Sequence, residues 1–240
     1  MLNTFLFQIL PYLALFVMVF GSIYRYRNQG FSVSSLSSEF LEARTLFWGT
    51  QPFHWGLMFL FFGHLAAFLI PHGVLAWNSE PLRLLILEIS AFSFGLATLF
   101  GLCSFIYRRM GNARIRVVTS KMDIVLYIIL LVQIISGLWI AYSIRWGSSW
   151  FSSVLTPYLW SIFKLSPDIT AVSAMPWIVK THIASAFVLV LIIPFTRLMH
   201  LLVAPIPYLW RPYQVVMWYW DREAIRDPDV SQKNIKPTNN

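Results

Sequence analysis

Charged residues are scarce in this sequence of 240 residues, where they make up 12%, about half of the share that is usual in a soluble domain. Hydrophobic residues make up 58%, and the mean hydropathy is +0.64. Cysteine is almost absent: Cys103 is the only one, which excludes a disulfide framework, an Fe–S motif and a C-x-x-C-H haem attachment. The composition predicts a protein that crosses a membrane several times, with Cys103 as a small core residue.

Five apolar segments are long enough to cross a bilayer, which takes about 20 residues of helix. They cover 4–24, 52–70, 84–106, 122–142 and 177–202. The first segment has no basic start and no small-residue cleavage site, so we expect a retained signal-anchor helix. The segment 34–42 has the pattern of a short amphipathic piece, and the tryptophan-rich segment 143–176 predicts a short helix at the membrane surface. The predicted fold class is an all-α membrane protein with five transmembrane helices.

Basic residues are distributed unevenly between the two ends of these segments. The net charge of +8 comes from short loops and not from one continuous face, so it indicates topology and not nucleic-acid binding. Thirteen basic residues follow segments one and three or lie in the C-terminal tail: Arg25, Arg27, Arg44, Arg108, Arg109, Arg114, Arg116, Lys121, Arg211, Arg222, Arg226, Lys233 and Lys236. Four lie at the other end: Arg83, Arg145, Lys164 and Lys180. Cytoplasmic loops are enriched in Lys and Arg, so we expect the N-terminus outside and the C-terminus in the cytoplasm.

Four of the five histidines lie inside the second and fifth apolar segments, where ionisable side chains are rare and usually functional. These two segments run in opposite directions, so His54 and His200 lie near the cytoplasmic face, and His64 and His182 lie near the outer face. A haem iron takes one axial imidazole from each side. The two pairs therefore predict a haem-binding bundle with two non-covalent b haems. A proton relay or another metal site is the alternative.

The spacing of the histidines in the fifth segment agrees with this pairing, but the spacing in the second segment fits it less well. The 18 residues from His182 to His200 equal five helical turns, so both rings are expected on one helix face. His54 and His64 lie about 80° apart, and their axial separation is about 15 Å against about 27 Å in the partner segment. Three residues are expected to absorb this difference through a bend or helix tilt: Pro194, Gly56 and Gly63. Gly56 and Gly63 are also expected at the haem sites, because a missing side chain lets a porphyrin edge approach the backbone closely.

Other polar residues near these segments have more than one interpretation. Arg197 lies three residues before His200, and haem propionates and lipid headgroups are equally suitable partners for its charge. His72 follows Pro71, which ends a helix, so a solvated interfacial residue is favoured over a place in a quinol pocket. The basic run from Arg108 to Lys121 is favoured as a topology determinant that faces headgroups.

Short motifs beside the histidines continue along most of the chain. They are Pro11-Tyr12, Gly21-Ser22, Arg25-Tyr26, Phe53-His54, Gly63-His64, Pro71-His72, Arg108-Arg109, Asp123-Ile124, Pro194-Phe195, Arg197-Leu198, Pro207-Tyr208-Leu209 and Tyr213-Gln214-Val215-Val216. With Arg114, Arg116, His182 and His200, they resemble the gamma subunit of membrane-bound respiratory nitrate reductase over nearly the full length. That family is the cytochrome b that anchors the complex.

The resemblance implies that His64 and His182 ligate an outer haem and that His54 and His200 ligate an inner one. Quinol would be oxidised near the outer haem. Electrons would pass inward to an Fe–S beta subunit and a molybdenum-containing alpha subunit at the cytoplasmic face, and nitrate would be reduced there. The family links a basic residue after the second span to quinol binding. Arg83 is the nearest candidate here, and His72 is the other residue assigned to that site.

The implied location is the inner cell membrane, with several crossings by a cytochrome domain at 1–217 and a cytoplasmic tail at 218–240. The tail is long for the family, and it either extends the docking surface for soluble subunits or is a disordered end. Two alternatives remain. One is the same cytochrome module in a nitrite-oxidising or sulfur-metabolising complex, and the other is a haem-free anchor or transporter.

Overall fold

The computed structural model describes residues 1–30, 33, 38, 41 and 44–202, and these ranges contain helices and no strands. In chain order the helices are α1 (Leu2–Asn28), α2 (Arg44–Leu69), α3 (Pro71–Asn78), α4 (Pro81–Gly111), α5 (Ala113–Val117), α6 (Lys121–Ser143), α7, α8 (Thr170–Ala174) and α9 (Trp177–Ile192). The helix α7 joins Gly147–Trp150, a π-helical turn at Phe151–Leu155 and Thr156–Phe163. After α9 come two 3-10 turns, Ile193–Phe195 and Arg197–Leu202.

Five of these helices, α1, α2, α4, α6 and α9, are long and apolar enough to cross a membrane, which confirms the predicted number of spans. The second span begins earlier than expected. Its helix, α2, starts at Arg44, so Pro52 lies inside the helix and not at its start. Large apolar side chains cover the outside of all five helices, as expected for surfaces that face lipid. Cys103 is among the exposed residues, so its predicted core position was wrong. Most residues of α4 are apolar, and hydropathy alone did not indicate which side of this helix faces the bundle.

The long helices alternate in direction, so the bundle has two ends, which we call the α7 end and the α5 end. At the α7 end, the hydroxyl of Tyr158 in α7 donates to the carbonyl oxygen of Phe7 at 2.8 Å. At the α5 end, the guanidinium of Arg25 donates to the carbonyl oxygen of Thr196 at 2.9 Å. The start of α1 is thus tied to α7, and its end is tied to the chain beyond α9.

Two clusters of buried side chains lie toward the two ends. The cluster at the α7 end joins α1, α6, α7, α8 and α9. Its buried members are Phe7, Ile140, Leu155, Tyr158, Ile162, Val172 and Val179. The segment 143–176, predicted to hold a short surface helix, contains α7 and α8, and both pack against the bundle. The second cluster joins α2, α4, α6 and α9. Its buried members are Phe53, Leu102, Leu126, Leu130, Ile134 and Ile192.

The closest helix pair is α2 against α4, where glycines let the two backbones approach. A Cβ added to Gly56 would lie 2.6 Å from the carbonyl oxygen of Phe94 in α4. A Cβ added to Gly101 of α4 would lie 2.6 Å from the backbone nitrogen of Phe53. The close approach at Gly56 is therefore to α4. Gly63 is different, because an added Cβ there would meet nothing within 4 Å.

The α-helical part of the fifth span ends at Ile192, before the residues that precede His200. Pro194 has no N–H to donate to the preceding turn, and Thr196 is extended with φ −121° and ψ 179°. The bend expected at Pro194 is present. The expectation that His182 and His200 lie on one face of a continuous helix was wrong, because a proline break and a 3-10 turn separate them.

Three expectations fall outside the described residues. They are the amphipathic piece at 34–42, of which only 38 and 41 are described, the domain boundary at 217/218, and the tail 218–240.

Candidate functional site

The four histidines of the second and fifth spans all direct Nδ1 to a backbone carbonyl oxygen. The acceptors are Thr50 for His54 at 2.9 Å, Leu60 for His64 at 2.7 Å, Gln133 for His182 at 3.0 Å and Arg197 for His200 at 2.5 Å. A carbonyl oxygen only accepts, so Nδ1 carries the proton and Nε2 carries the lone pair in a neutral ring. This is the tautomer that binds a metal through Nε2 while the protein holds the other nitrogen.

At the α5 end, His54 of α2 faces His200 of the last 3-10 turn. Their ring centroids lie 6.4 Å apart, with an angle of 60° between the ring planes. Metal–imidazole bonds of about 2 Å on opposite sides of one iron put two ring centroids roughly 6 Å apart. No residue in the described part of the chain hydrogen-bonds Nε2 of either ring. The pair is therefore spaced to share one metal ion.

At the α7 end, His64 and His182 make no ring contact with each other in the described part of the chain. The ring of His64 meets Phe151 edge to face at 5.4 Å. His182 lies against α6, where the amide nitrogen of Gln133 donates to its Nε2 at 3.2 Å. A metal ion shared by these two histidines therefore requires Gln133 to release Nε2 of His182.

The position of His182 depends on a glycine in α6. A Cβ added to Gly137 would lie 2.9 Å from Cε1 of His182, so a larger residue would push the ring away from α6. One turn before, Gln133 accepts a hydrogen bond from Ser185 through Oε1, which leaves its amide nitrogen to donate to His182. The surface of α6 thus fixes both the position and the tautomer of this ring.

Arg197 makes an ion pair with Asp123 near the start of α6. Its Nε lies 2.6 Å from Oδ1 of Asp123, and a second nitrogen lies 3.0 Å from Oδ2. Arg109 of α4 reaches the same Oδ2 at 3.0 Å. The carboxylate of Asp123 is buried, with 3% of the residue exposed. Asp123 pairs with both Arg197 and Arg109, so these three side chains together carry a net charge of +1. A haem propionate and a lipid headgroup both stay predicted partners for Arg197.

The basic run after the fourth helix is also less exposed than predicted. Arg108 is buried and donates to the hydroxyl of Ser38 at 2.9 Å and to its carbonyl oxygen at 3.0 Å. Arg109 pairs with Asp123 as described. Part of this run therefore holds the α5 end together, and the exposed Arg114 and Arg116 remain at the surface.

The two histidine pairs fit haem better than a metal held by side chains alone. In the described part of the chain, no group of three or more His, Cys, Asp or Glu residues is placed to hold an ion. A porphyrin supplies four ligands itself, so two imidazoles complete the iron. In addition, α2 packs on α4 while α9 packs on α1 and α6, so α2 and α9 make little direct contact with each other. At the α5 end, the residues present therefore fit a haem held between α2 and the 3-10 turn that follows α9. At the α7 end, His64 of α2 and His182 of α9 are of the type that holds a haem iron, and the Nε2 atom of His182 is occupied by Gln133.

The residues assigned to quinol binding lie in or beside α3. His72 is exposed in the first turn of α3. Arg83 lies in the first turn of α4, and its guanidinium carbon is 5.4 Å from the centroid of the Trp77 ring. The structure does not bring His72 and Arg83 into direct contact.

A partly buried polar cluster lies at the α7 end, and its member Trp150 directly precedes Phe151, whose ring contacts His64. Glu88 of α4 accepts hydrogen bonds through Oε1 from the backbone N–H of Ser148 at 3.0 Å and from its hydroxyl at 2.7 Å. The side-chain nitrogen of Asn78 donates to the same hydroxyl at 3.0 Å. Within the described residues, Oδ1 of Asn78 and Nε1 of Trp150 are buried without a hydrogen-bond partner. An acceptor and a donor are thus available for a further polar group.

Comparison with known proteins assigns the chain to a family. Residues 3–219 match the family described as nitrate reductase gamma subunit. The chain belongs to this family. It is 35% identical to the nitrate reductase gamma chain of Bacillus subtilis, over 88% of this chain and 96% of that one. It is 30% identical to the respiratory nitrate reductase 2 gamma chain of Escherichia coli, over 90% and 96% of the two chains. It also matches a nitrate reductase-like protein NarX of Mycobacterium tuberculosis at 29% identity, over 94% of this chain and 35% of that protein.

Membership of the nitrate reductase gamma subunit family makes the chain one component of an oxidoreductase complex, with other subunits as partners. Its five apolar helices make it a multi-pass membrane protein. The resemblance seen in the sequence is therefore confirmed at the level of the family.

Several polar residues of the site were not found from the sequence. Gln133 and Glu88 lie inside apolar segments, and a polar side chain in such a segment is itself a signal of function. Asp123 follows Ser120 by three residues, which is the spacing of a capping box, and both capping hydrogen bonds are present. The hydrogen-bond partners of these side chains could not be predicted from the sequence, because they lie in other helices and turns of the fold.

Proposed function

We propose that this chain is a dihaem cytochrome b subunit that anchors a respiratory nitrate reductase in the inner membrane. It oxidises quinol near the outer face and passes electrons through two b haems to Fe–S beta and molybdenum alpha subunits at the cytoplasmic face. The observation that carries the proposal is the 6.4 Å between the ring centroids of His54 and His200, which come from two oppositely directed spans. A bound haem supplies a reversible one-electron carrier.

The α5 end is assigned to the cytoplasm by its charge. The loop between α4 and α6 and the end of α1 carry the basic residues expected on the cytoplasmic side. His54 and His200 are then the inner ligands, and His64 and His182 are the outer ligands. This orientation puts the N-terminus outside and the C-terminus in the cytoplasm.

The protein orients the imidazole rings of the four histidines and leaves room for a porphyrin beside them. Each ligand ring is held by the hydrogen bond from Nδ1 to a carbonyl oxygen, which also makes Nε2 a better donor to iron. Gly63 directly precedes His64, and a Cβ added to Gly63 would meet no atom within 4 Å. A porphyrin edge can therefore approach the backbone there. Gly56 is not assigned to the porphyrin edge, because the close approach of α4 already accounts for its missing side chain.

Quinol oxidation releases two electrons and two protons from the two hydroxyl groups, so the outer site needs proton acceptors as well as a haem. Glu88 is a partly buried carboxylate at this end, and the neighbouring Asn78 and Trp150 offer an unpartnered acceptor and donor. Arg83 and His72 lie farther toward the surface of the same end. We assign Glu88 as the group that takes a quinol proton, with Arg83 and His72 at the entrance.

Replacing Glu88 with glutamine is expected to slow quinol oxidation by roughly 100-fold, the order of magnitude of general base catalysis, while both haems are retained. Glutamine keeps an oxygen that accepts from Ser148 but cannot take a proton. The matched control is Glu80→Gln, because Glu80 is an exposed acidic residue just before α4 at the same end. Steady-state quinol oxidation by the purified complex measures the effect. Equal rates for Glu88→Gln and wild type would remove Glu88 from the quinol site.

A reduced-minus-oxidised visible spectrum of the purified complex tests the proposed function. Two bis-histidine b haems give sharp low-spin bands, and chemical assay should find two haems per gamma subunit. A chain without haem would support the alternative of a haem-free anchor or transporter. Identifying the other subunits separates nitrate reduction from the nitrite-oxidising and sulfur-metabolising alternatives.

A further inference from the structure

We infer that Asp123 is a positioning residue for the inner haem, and that it acts through Arg197 on the ring of His200. This inference rests on the proposed ligation of the inner haem by His54 and His200. It concerns a carboxylate in another span, α6, which supplies no ligand to that haem. The residues that connect Asp123 to His200 are all in the described part of the chain.

Three hydrogen bonds connect Asp123 to His200 through Arg197. Asp123 holds the guanidinium of Arg197 by two hydrogen bonds, of 2.6 and 3.0 Å. The carbonyl oxygen of Arg197 in turn accepts the hydrogen bond from Nδ1 of His200 at 2.5 Å. Moving Arg197 therefore moves the acceptor that sets the orientation of the His200 ring.

This part of the chain needs such support because the α-helix has already ended. Beyond Pro194 the segment that carries His200 is a short 3-10 turn, whose hydrogen bonds are poorer than those of an α-helix. Two side chains from other helices fix it. Arg25 of α1 donates to the carbonyl oxygens of Pro194 and Thr196 at 2.7 and 2.9 Å, and Asp123 of α6 holds Arg197.

The charges of the cluster also act on the inner haem. Asp123 is one negative charge between two positive ones, those of Arg109 and Arg197. Asp123 is buried and the side chains of Arg109 and Arg197 are 11% and 20% exposed, so these charges are less screened than those of fully exposed side chains. Removing the negative charge favours the reduced haem, which carries one positive charge less than the oxidised haem. A neutral residue at 123 therefore raises the midpoint potential of the inner haem and leaves the outer haem unchanged.

The test is a double-mutant cycle in the purified complex with Asp123→Asn, Arg197→Gln and the double variant. Redox titration and haem retention are measured for each haem. Asp123→Asn is expected to raise the inner midpoint potential and to weaken retention of the inner haem about tenfold, as changes beyond the direct ligands commonly do. The two single effects on retention of the inner haem are expected not to add, because both variants break the same contact between Asp123 and Arg197. Outer-haem content in the same sample reports whether each variant has folded.

The control is Ser120→Ala at the same helix start. It removes the hydroxyl that accepts from the backbone N–H of Asp123 at 3.1 Å, but it keeps the Asp123 carboxylate and its contacts with Arg197. This variant is expected to leave the inner haem unchanged. If Asp123→Asn is too unstable to purify, Arg197→Lys keeps the charge and loses the two-point contact, and weaker inner-haem retention is again expected.

Three outcomes overturn the inference: an unchanged inner haem in Asp123→Asn, additive effects on inner-haem retention in the cycle, or the same change in Ser120→Ala. Each of these leaves the proposed function in place if the wild-type complex contains two low-spin b haems. Absence of haem from the wild type overturns the proposed function, and this inference with it.

Discussion

Alanine in place of His200 removes one haem from the complex, and alanine in place of His54 removes the same one. Alanine in place of His64 or His182 removes the other. The reason is that each iron takes one imidazole from each of two oppositely directed spans, so the loss of either ligand leaves a haem held from one side only. Haem content per gamma subunit should fall from two to one in all four variants. Low-temperature spectra or redox titration identify which haem is missing.

The control for this series is His72→Ala. His72 is the fifth histidine, it is exposed at the start of α3, and it belongs to neither pair. Both haems should remain in this variant. The topology is wrong if His54→Ala and His64→Ala deplete the same haem, since each pair has one member in α2.

The second large effect is a separation of quinol oxidation from nitrate reduction. In His54→Ala or His200→Ala, quinol should still reduce the outer haem, but the electrons should not reach the cytoplasmic subunits. In His64→Ala or His182→Ala, quinol should reduce neither haem, although dithionite should still reduce the inner one. Nitrate reduction by quinol should fall by more than about 100-fold in all four, which exceeds the effect of most changes outside the direct ligands.

This prediction is measured by mixing the oxidised complex with quinol and following each haem band in time. Nitrate reduction with a soluble viologen donor is the control, because that donor delivers electrons to the partner subunits without the gamma subunit. It should be unchanged in every variant that still assembles. Reduction of the inner haem by quinol in His64→Ala would show that quinol is not oxidised at the outer pair.

The sequence was sufficient to predict the membrane class and the number of spans, while the four histidine ligands stay a prediction. Hydropathy is a local property, and about 20 apolar residues in a row are sufficient to indicate a crossing. Basic loops added an expected orientation. Motifs beside the histidines were specific enough to indicate the family, which the match over residues 3–219 confirms.

The faces of the helices were not predictable in the same way. Each span is apolar on nearly all sides, because lipid and protein core are both apolar, so no periodic polar stripe marks the inner face. This is why Cys103 was placed in the core although it is exposed. It is also why Gly56 was assigned to a porphyrin edge although it faces α4.

The sequence by itself determined that two spans carry two histidines each and that antiparallel order pairs them by depth. Tertiary structure decided how those rings are held. The break at Pro194 brings His200 to within 6.4 Å of His54, measured between ring centroids, and Asp123 and Gln133 of α6 reach residues of the fifth span. The physical reason is that polar groups in an apolar span must find partners on other helices, and those contacts depend on helix rotation and bending, which local sequence does not specify.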